Sequence, residues 1–72
     1  MKRGDKVKCV DKGHNIYLTE GRMYDVTHGK GDLSIFGQVI KTDEAFQILN
    51  DDGTVSYCLY PWDAHATWEL VE

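Results

Sequence analysis

The sequence predicts an all-β fold: one domain, residues 1–72, built as a small, strongly bent antiparallel barrel of five or six short strands. Three observations carry this expectation. Apolar side chains recur with period two in several short stretches, as in DKVKCV (residues 5–10), and almost nowhere with the 3.6-residue period of a helix. Turns bearing Gly or Asp separate those stretches. Finally, 72 residues supply a single small core, which short antiparallel strands enclose by curling into a barrel.

Each element follows from its residues. In DKVKCV, Val7 and Cys9 alternate with Lys6 and Lys8, giving a half-buried first strand. In YLTEGRMYDV (residues 17–26), Leu18 and Val26 are expected in the core, with Thr19, Glu20, Gly21 and Arg22 turning into a second strand, MYDVT. THGKGDLS reads as a loop because of Gly29 and Gly31. SIFGQVI (residues 34–40) resumes strand character, with Gly37 marking a bulge or tight bend. Thr42, Asp43 and Glu44 break it, and FQIL follows. NDDGT is a tight hairpin loop, since Asp-Gly supplies the positive φ angles such turns need. VSYCLY is the return strand, Pro61 ends it, PWDAHA from Pro61 to Ala66 suggests one short helical turn, and TWELV closes the sheet. The expected core is Val7, Cys9, Val26, Ile35, Val39, Ile48, Leu59 and Leu70, with Trp68 beside them.

Charge is divided along the chain. All 8 Lys and Arg lie in residues 1–41, whereas residues 42–72 carry seven carboxylates and no cation. In a barrel the two halves interleave, which sets a basic first-strand edge (Lys2, Arg3, Lys6, Lys8, Lys12) beside acidic hairpin tips. The opening MKRGDKVK has no apolar stretch behind its positive charge, so no secretory signal is expected. No apolar run is long enough to span a membrane. A soluble, cytoplasmic, reducing setting is therefore expected, and in it Cys9 and Cys58 read as buried free thiols on neighbouring strands rather than a disulfide.

Constellations that carry chemistry are sparse. Cys9, His14, His28, Cys58 and His65 are types that ligate zinc, but no CxxC or HxxxH pair gives the local chelate spacing, so no metal or other cofactor is expected. A Cys58–His65 nucleophilic pair would need an activated thiolate in a cleft, and nothing in the sequence indicates one. Asp51 and Asp52 on a hairpin tip are expected to point apart into water rather than act as an acid–base pair. HGKGDLS lacks the GxxxxGK[ST] frame of a phosphate-binding loop. These readings point away from an enzyme.

The order of elements resembles an SH3-like small barrel. More narrowly, VKCVD, YLTEGRMYDV, FQILNDDGTVSY and the closing WELVE resemble small, mostly uncharacterised SH3-like proteins encoded by bacteriophages and prophages. The stretch HGKGDLSIFGQVIKTDEA departs from that pattern, being longer than a minimal connection. The resemblance implies a non-enzymatic accessory protein that binds a host or phage protein, in the host cytoplasm if the chain is phage-encoded. It also implies a groove where aromatics of the long first loop, the central strands and the short helical turn converge. By position these are Tyr17, Tyr24, Tyr60 and Trp62, with Glu20 and Asp63, joined by the Asp51–Asp52 tip, as an acidic rim. The alternative is nucleic-acid binding, because KRGDKVKCVDKG and GQVIK resemble the KOW-type barrel. The roughly 20 residues between those halves and the overall acidity disfavour it, since affinity for phosphates rests on basic surface.

Overall fold

The structure, a computed structural model, describes residues 1–63 and 66–71. It is all-β: β1 (Lys6–Asp11), β2 (Met23–His28), β3 (Ala45–Leu49), β4 (Val55–Leu59) and β5 (Thr67–Val71) form one antiparallel sheet in the order β4-β3-β2-β1-β5. The five strands match the five expected around the central loop to within one residue at each end. The sixth, residues 34–40, does not form. There is no helix among the described residues, and the expected helical turn spans Ala64 and His65, which lie outside them. No helix of the described residues is long and apolar enough to cross a membrane.

The sheet curls because β2 divides its pairing. Its first half pairs with β1 (Val7 opposite Tyr24), its second half pairs with β3 (Val26 opposite Ile48), and the register shifts between Val26 and His28. A second shift lies between Cys9 and Asp11, where β1 meets β5. Extra residues of this kind bend a strand and increase its twist. The curl is incomplete, for β4 and β5 are both edge strands and do not pair with each other.

The concave face holds the core. Val7, Cys9, Tyr24, Val26, Phe46, Ile48, Cys58 and Trp68 come from all five strands, and Leu18 and Ala66 join them from the connections. Trp68 is its centre, meeting Tyr24 edge-on at 5.9 Å and Phe46 edge-on at 5.6 Å. Leu70 packs against this cluster partly buried. Cys9 and Cys58 are both buried in it, but on β1 and β4, which β2 and β3 separate, so they are not on neighbouring strands.

Three expected core residues are instead exposed: Ile35, Val39 and Leu59. Leu59 follows from parity, because Cys58 faces inward and its neighbour must face out. Ile35 and Val39 follow from the fate of SIFGQVI. Rather than joining the sheet, the chain folds back on itself as a tongue. The Gly31 amide donates to the Ile40 carbonyl (2.8 Å), the Ile40 amide to Asp32 (2.9 Å) and the Ser34 amide to Gln38 (2.8 Å), with a single bridge between Leu33 and Val39. The tongue reaches β3 and β4 by two contacts. The Ile35 amide donates to the Gln47 side-chain oxygen (3.2 Å), and Phe36 packs on Tyr57 with ring centres 5.5 Å apart. Gln47 is thereby fully buried, although it points away from the main core.

Candidate functional site

The YLTEGR segment is fastened by one carboxylate. Gly21, at φ +83°, turns the chain so that the Arg22 amide donates to the Thr19 carbonyl (3.2 Å). Asp51, at the tip of the β3–β4 hairpin, accepts from the Thr19 hydroxyl (2.7 Å), the Tyr24 hydroxyl (2.8 Å) and the Arg22 guanidinium (2.6 Å). The Asp51 amide in turn donates to the Tyr17 carbonyl (3.0 Å). Hydrogen bonds from Thr19 and Tyr24, with the Arg22 charge, hold the Asp51 carboxyl below its ordinary range. Asp51 therefore does not face free into water as an acidic rim. Asp52 is also engaged, accepting from the amide (3.0 Å) and hydroxyl (2.6 Å) of Thr54.

This fastening sets one wall of a cleft of about 520 Å³ at the unclosed seam between β4 and β5. His14, Asn15, Tyr17 and Leu18 line that side. Val55 to Cys58 of β4 line the other, with Ile35 and Phe36 of the tongue beside them. Cys58, Ala66 and Trp68, all buried in the core, also line it. Phe36 is 69% exposed and Tyr17 45%, so the cleft carries accessible aromatic surface. The Trp68 indole N–H is sealed from solvent and has no acceptor among the described residues. At one end the seam is drawn shut, where the Trp68 amide donates to the Pro61 carbonyl (2.7 Å) and Trp62 bridges Thr67.

The six residues expected to bind a partner do not form one surface. Tyr17 lines the cleft. Tyr24 is a core residue, 5% exposed, its ring between Trp68 and the Arg22 guanidinium; it shares the inward parity of Val26. Tyr60 is half-buried against the core. Trp62 is exposed but does not line the cleft. Glu20 sits on the exposed turn, where its carboxylate is 3.4 Å from the Lys12 amide. Asp63 organises the β4–β5 connection, accepting from the Leu59 amide (2.9 Å) and the Ala66 amide (2.9 Å). It also lines a shallow recess of about 150 Å³ with Asp11, next to the cleft and sharing Ala66 with it.

Sequence reasoning missed Ile35, Phe36 and Tyr57 as site residues. The signal for Tyr57 was parity, since Cys58 inward places Tyr57 outward. For Phe36 no such signal exists, because its place depends on how the tongue folds over.

Burial, with Asp63 and Cys9 nearby, pushes the Cys58 thiol up to about 12, which keeps it protonated and weakly nucleophilic. No group of three or more His, Cys, Asp or Glu is placed to hold a metal among the described residues, and His65 lies outside them. The basic edge is partly neutralised, with Lys6 paired to Asp25 at 2.7 Å. Comparison with protein-family models, curated proteins and solved structures gave no match in any of the three.

Proposed function

We propose that this chain is a non-enzymatic protein-binding module whose contact surface is the cleft between β4 and β5, and that the curled sheet is an SH3-like barrel of the phage accessory type. The observation that carries the reading is an aromatic-walled cleft of about 520 Å³ where the sheet fails to close. Rigid rings such as Tyr17 and Phe36 bury much area at small entropic cost, the property that makes aromatic residues anchors of interfaces. Nucleic-acid binding is the weaker reading, because the basic edge is interrupted by Asp5, Asp11 and the Lys6–Asp25 pair.

The test is affinity capture from bacterial host lysate with the wild-type chain and with a Tyr17→Ala/Phe36→Ala double variant. A protein retained by the wild type and lost by the variant, at nearly equal melting temperatures, supports the reading. Equal capture by both, or capture of nucleic acid alone, overturns it.

A further inference from the structure

The backbone of β4 makes a sharper statement than the rings around it. Two hydrogen bonds flank its ladder with β3: the Asn50 amide to the Thr54 carbonyl (2.7 Å) and the Tyr60 amide to the Glu44 carbonyl (2.8 Å). Antiparallel bonding alternates along a strand, so Ser56 and Cys58 turn their amides and carbonyls toward β3. Val55, Tyr57 and Leu59 turn theirs away. The Leu59 amide is held by the Asp63 carboxylate. The amides and carbonyls of Val55 and Tyr57 have no partner among the described residues, and both residues line the cleft. The cleft thus runs along an unpaired sheet edge.

We infer that the partner enters as an extended peptide segment that adds a strand to β4, forming main-chain hydrogen bonds with Val55 and Tyr57 and filling the seam. This rests on the protein-binding reading and specifies its chemistry. Main-chain pairing supplies affinity in such complexes, and pockets for alternate side chains supply selectivity. From Val55 to Leu59 the edge is about 13 Å long, enough for a strand of roughly four to five residues. Alternate side chains of the segment then rest on Leu18 and Trp68 or lie beside Phe36.

The geometry favours a single strand from another protein over a second copy of this chain. A two-fold antiparallel pair centred on Tyr57 would require the Leu59 amide of each copy to bond Val55 of the other, and Asp63 already holds that amide, which limits a second copy to shorter registers that omit Leu59. His14, Leu18 and the tongue residues Ile35 and Phe36 also line the cleft, so a second folded copy would have to bring its own loop and tongue into the same space. Antiparallel pairing is the more stable per residue, and charge then favours a cation at one end of the segment. Asp11 and Asp63 lie together at the Leu59 end, and residues 42–72 contain no Lys or Arg. A strand antiparallel to β4, with a Lys or Arg near its N-terminal end, places that cation beside the two carboxylates.

The experiment uses a display library of random heptapeptides panned against the intact chain, with the Tyr17→Ala/Phe36→Ala variant as counterselection. Enriched peptides are then synthesised and followed by amide hydrogen exchange. The expected result is at least tenfold slower exchange at Val55 and Tyr57 on binding, loss of binding when alternate peptide nitrogens are methylated, and enrichment of Lys or Arg near the peptide N-terminus. Val55→Pro removes an outward amide without touching the β3 ladder and should weaken binding at least tenfold. Should it unfold, the exchange measurement on the wild type still decides. Peptides that bind the cleft but leave Val55 and Tyr57 unprotected overturn strand addition while sparing the protein-binding reading. A library yielding no cleft-dependent peptide overturns both.

Discussion

The Tyr24 hydroxyl donates to the Asp51 carboxylate at 2.8 Å while accepting the Thr19 amide at 2.8 Å, so one phenol ties the first turn to the tip of the β3–β4 hairpin. The ring beneath that hydroxyl packs on Trp68. A core contact and a surface network therefore share one side chain. Tyr24→Phe keeps the ring and removes the hydroxyl, and is expected to cost ~1–2 kcal/mol. Tyr24→Ala also empties the core, at ~3–5 kcal/mol. Denaturant unfolding of the two variants checks this, and a Tyr24→Phe variant as stable as the wild type would mean the hydroxyl network contributes nothing.

Acid should loosen the same network. The Asp51 carboxyl is lowered in the folded state by Thr19, Tyr24 and Arg22, so it binds fewer protons there than in the unfolded chain. Its contribution is then complete above the ordinary carboxylate range near pH ~4 and lost as pH falls through the lower native value. Asp52, lowered by Thr54, adds to the same limb. Melting temperatures measured from pH 6 down to pH 2.5 should fall less steeply for Asp51→Asn than for the wild type. Parallel curves would show that Asp51 is not linked to folding.

Gly29 is favoured for a steric reason. A Cβ built there would stand 2.3 Å from the Met1 carbonyl oxygen and 2.8 Å from the Lys2 Cα, both backbone atoms that cannot swing aside. Gly29→Ala is expected to destabilise by ~1–3 kcal/mol, whereas Gly31→Ala meets open space and is opposed only by its φ of +93°. Thermal melts of the pair separate crowding from backbone strain; a neutral Gly29→Ala would contradict the close approach.

Cys58 lines the cleft and yet should resist alkylation, because burial raises its thiol to about 12. Iodoacetamide at pH 7.5 is expected to modify the native chain far more slowly than the urea-unfolded chain, with Cys9, also raised by burial, behaving alike. Rapid native labelling of Cys58 would show an accessible thiolate.

Where alternation was strong, the fold was legible in the residues. Val7-Lys8-Cys9 and Phe46-Gln47-Ile48 state which side faces in, and Asp52-Gly53 states where the chain reverses, with Gly53 at φ +87°. SIFGQVI looks alike but folds back on the residues just before it, with Gly31 and Gly37, both at positive φ, at the bends. Parity placed Tyr24 inward with Val26 and Leu59 outward from Cys58; reading them by residue type instead reversed both. Tyr17 lines the cleft without the other three rings expected beside it. Phe36 reached it through a contact with Tyr57 that no local pattern encodes.

The register that sets Lys6 opposite Val71 has a consequence in time. The first strand finds one of its two neighbours only in the fifth, and Trp68, the ring on which Tyr24 and Phe46 converge, arrives with that fifth strand. Closing so large a loop precedes most of the reward for closing it, which places folding of such a topology in the millisecond-to-second range. During synthesis, β1 to β4 emerge with their aromatic centre unfilled, and the nascent chain waits for TWELV before its core can lock.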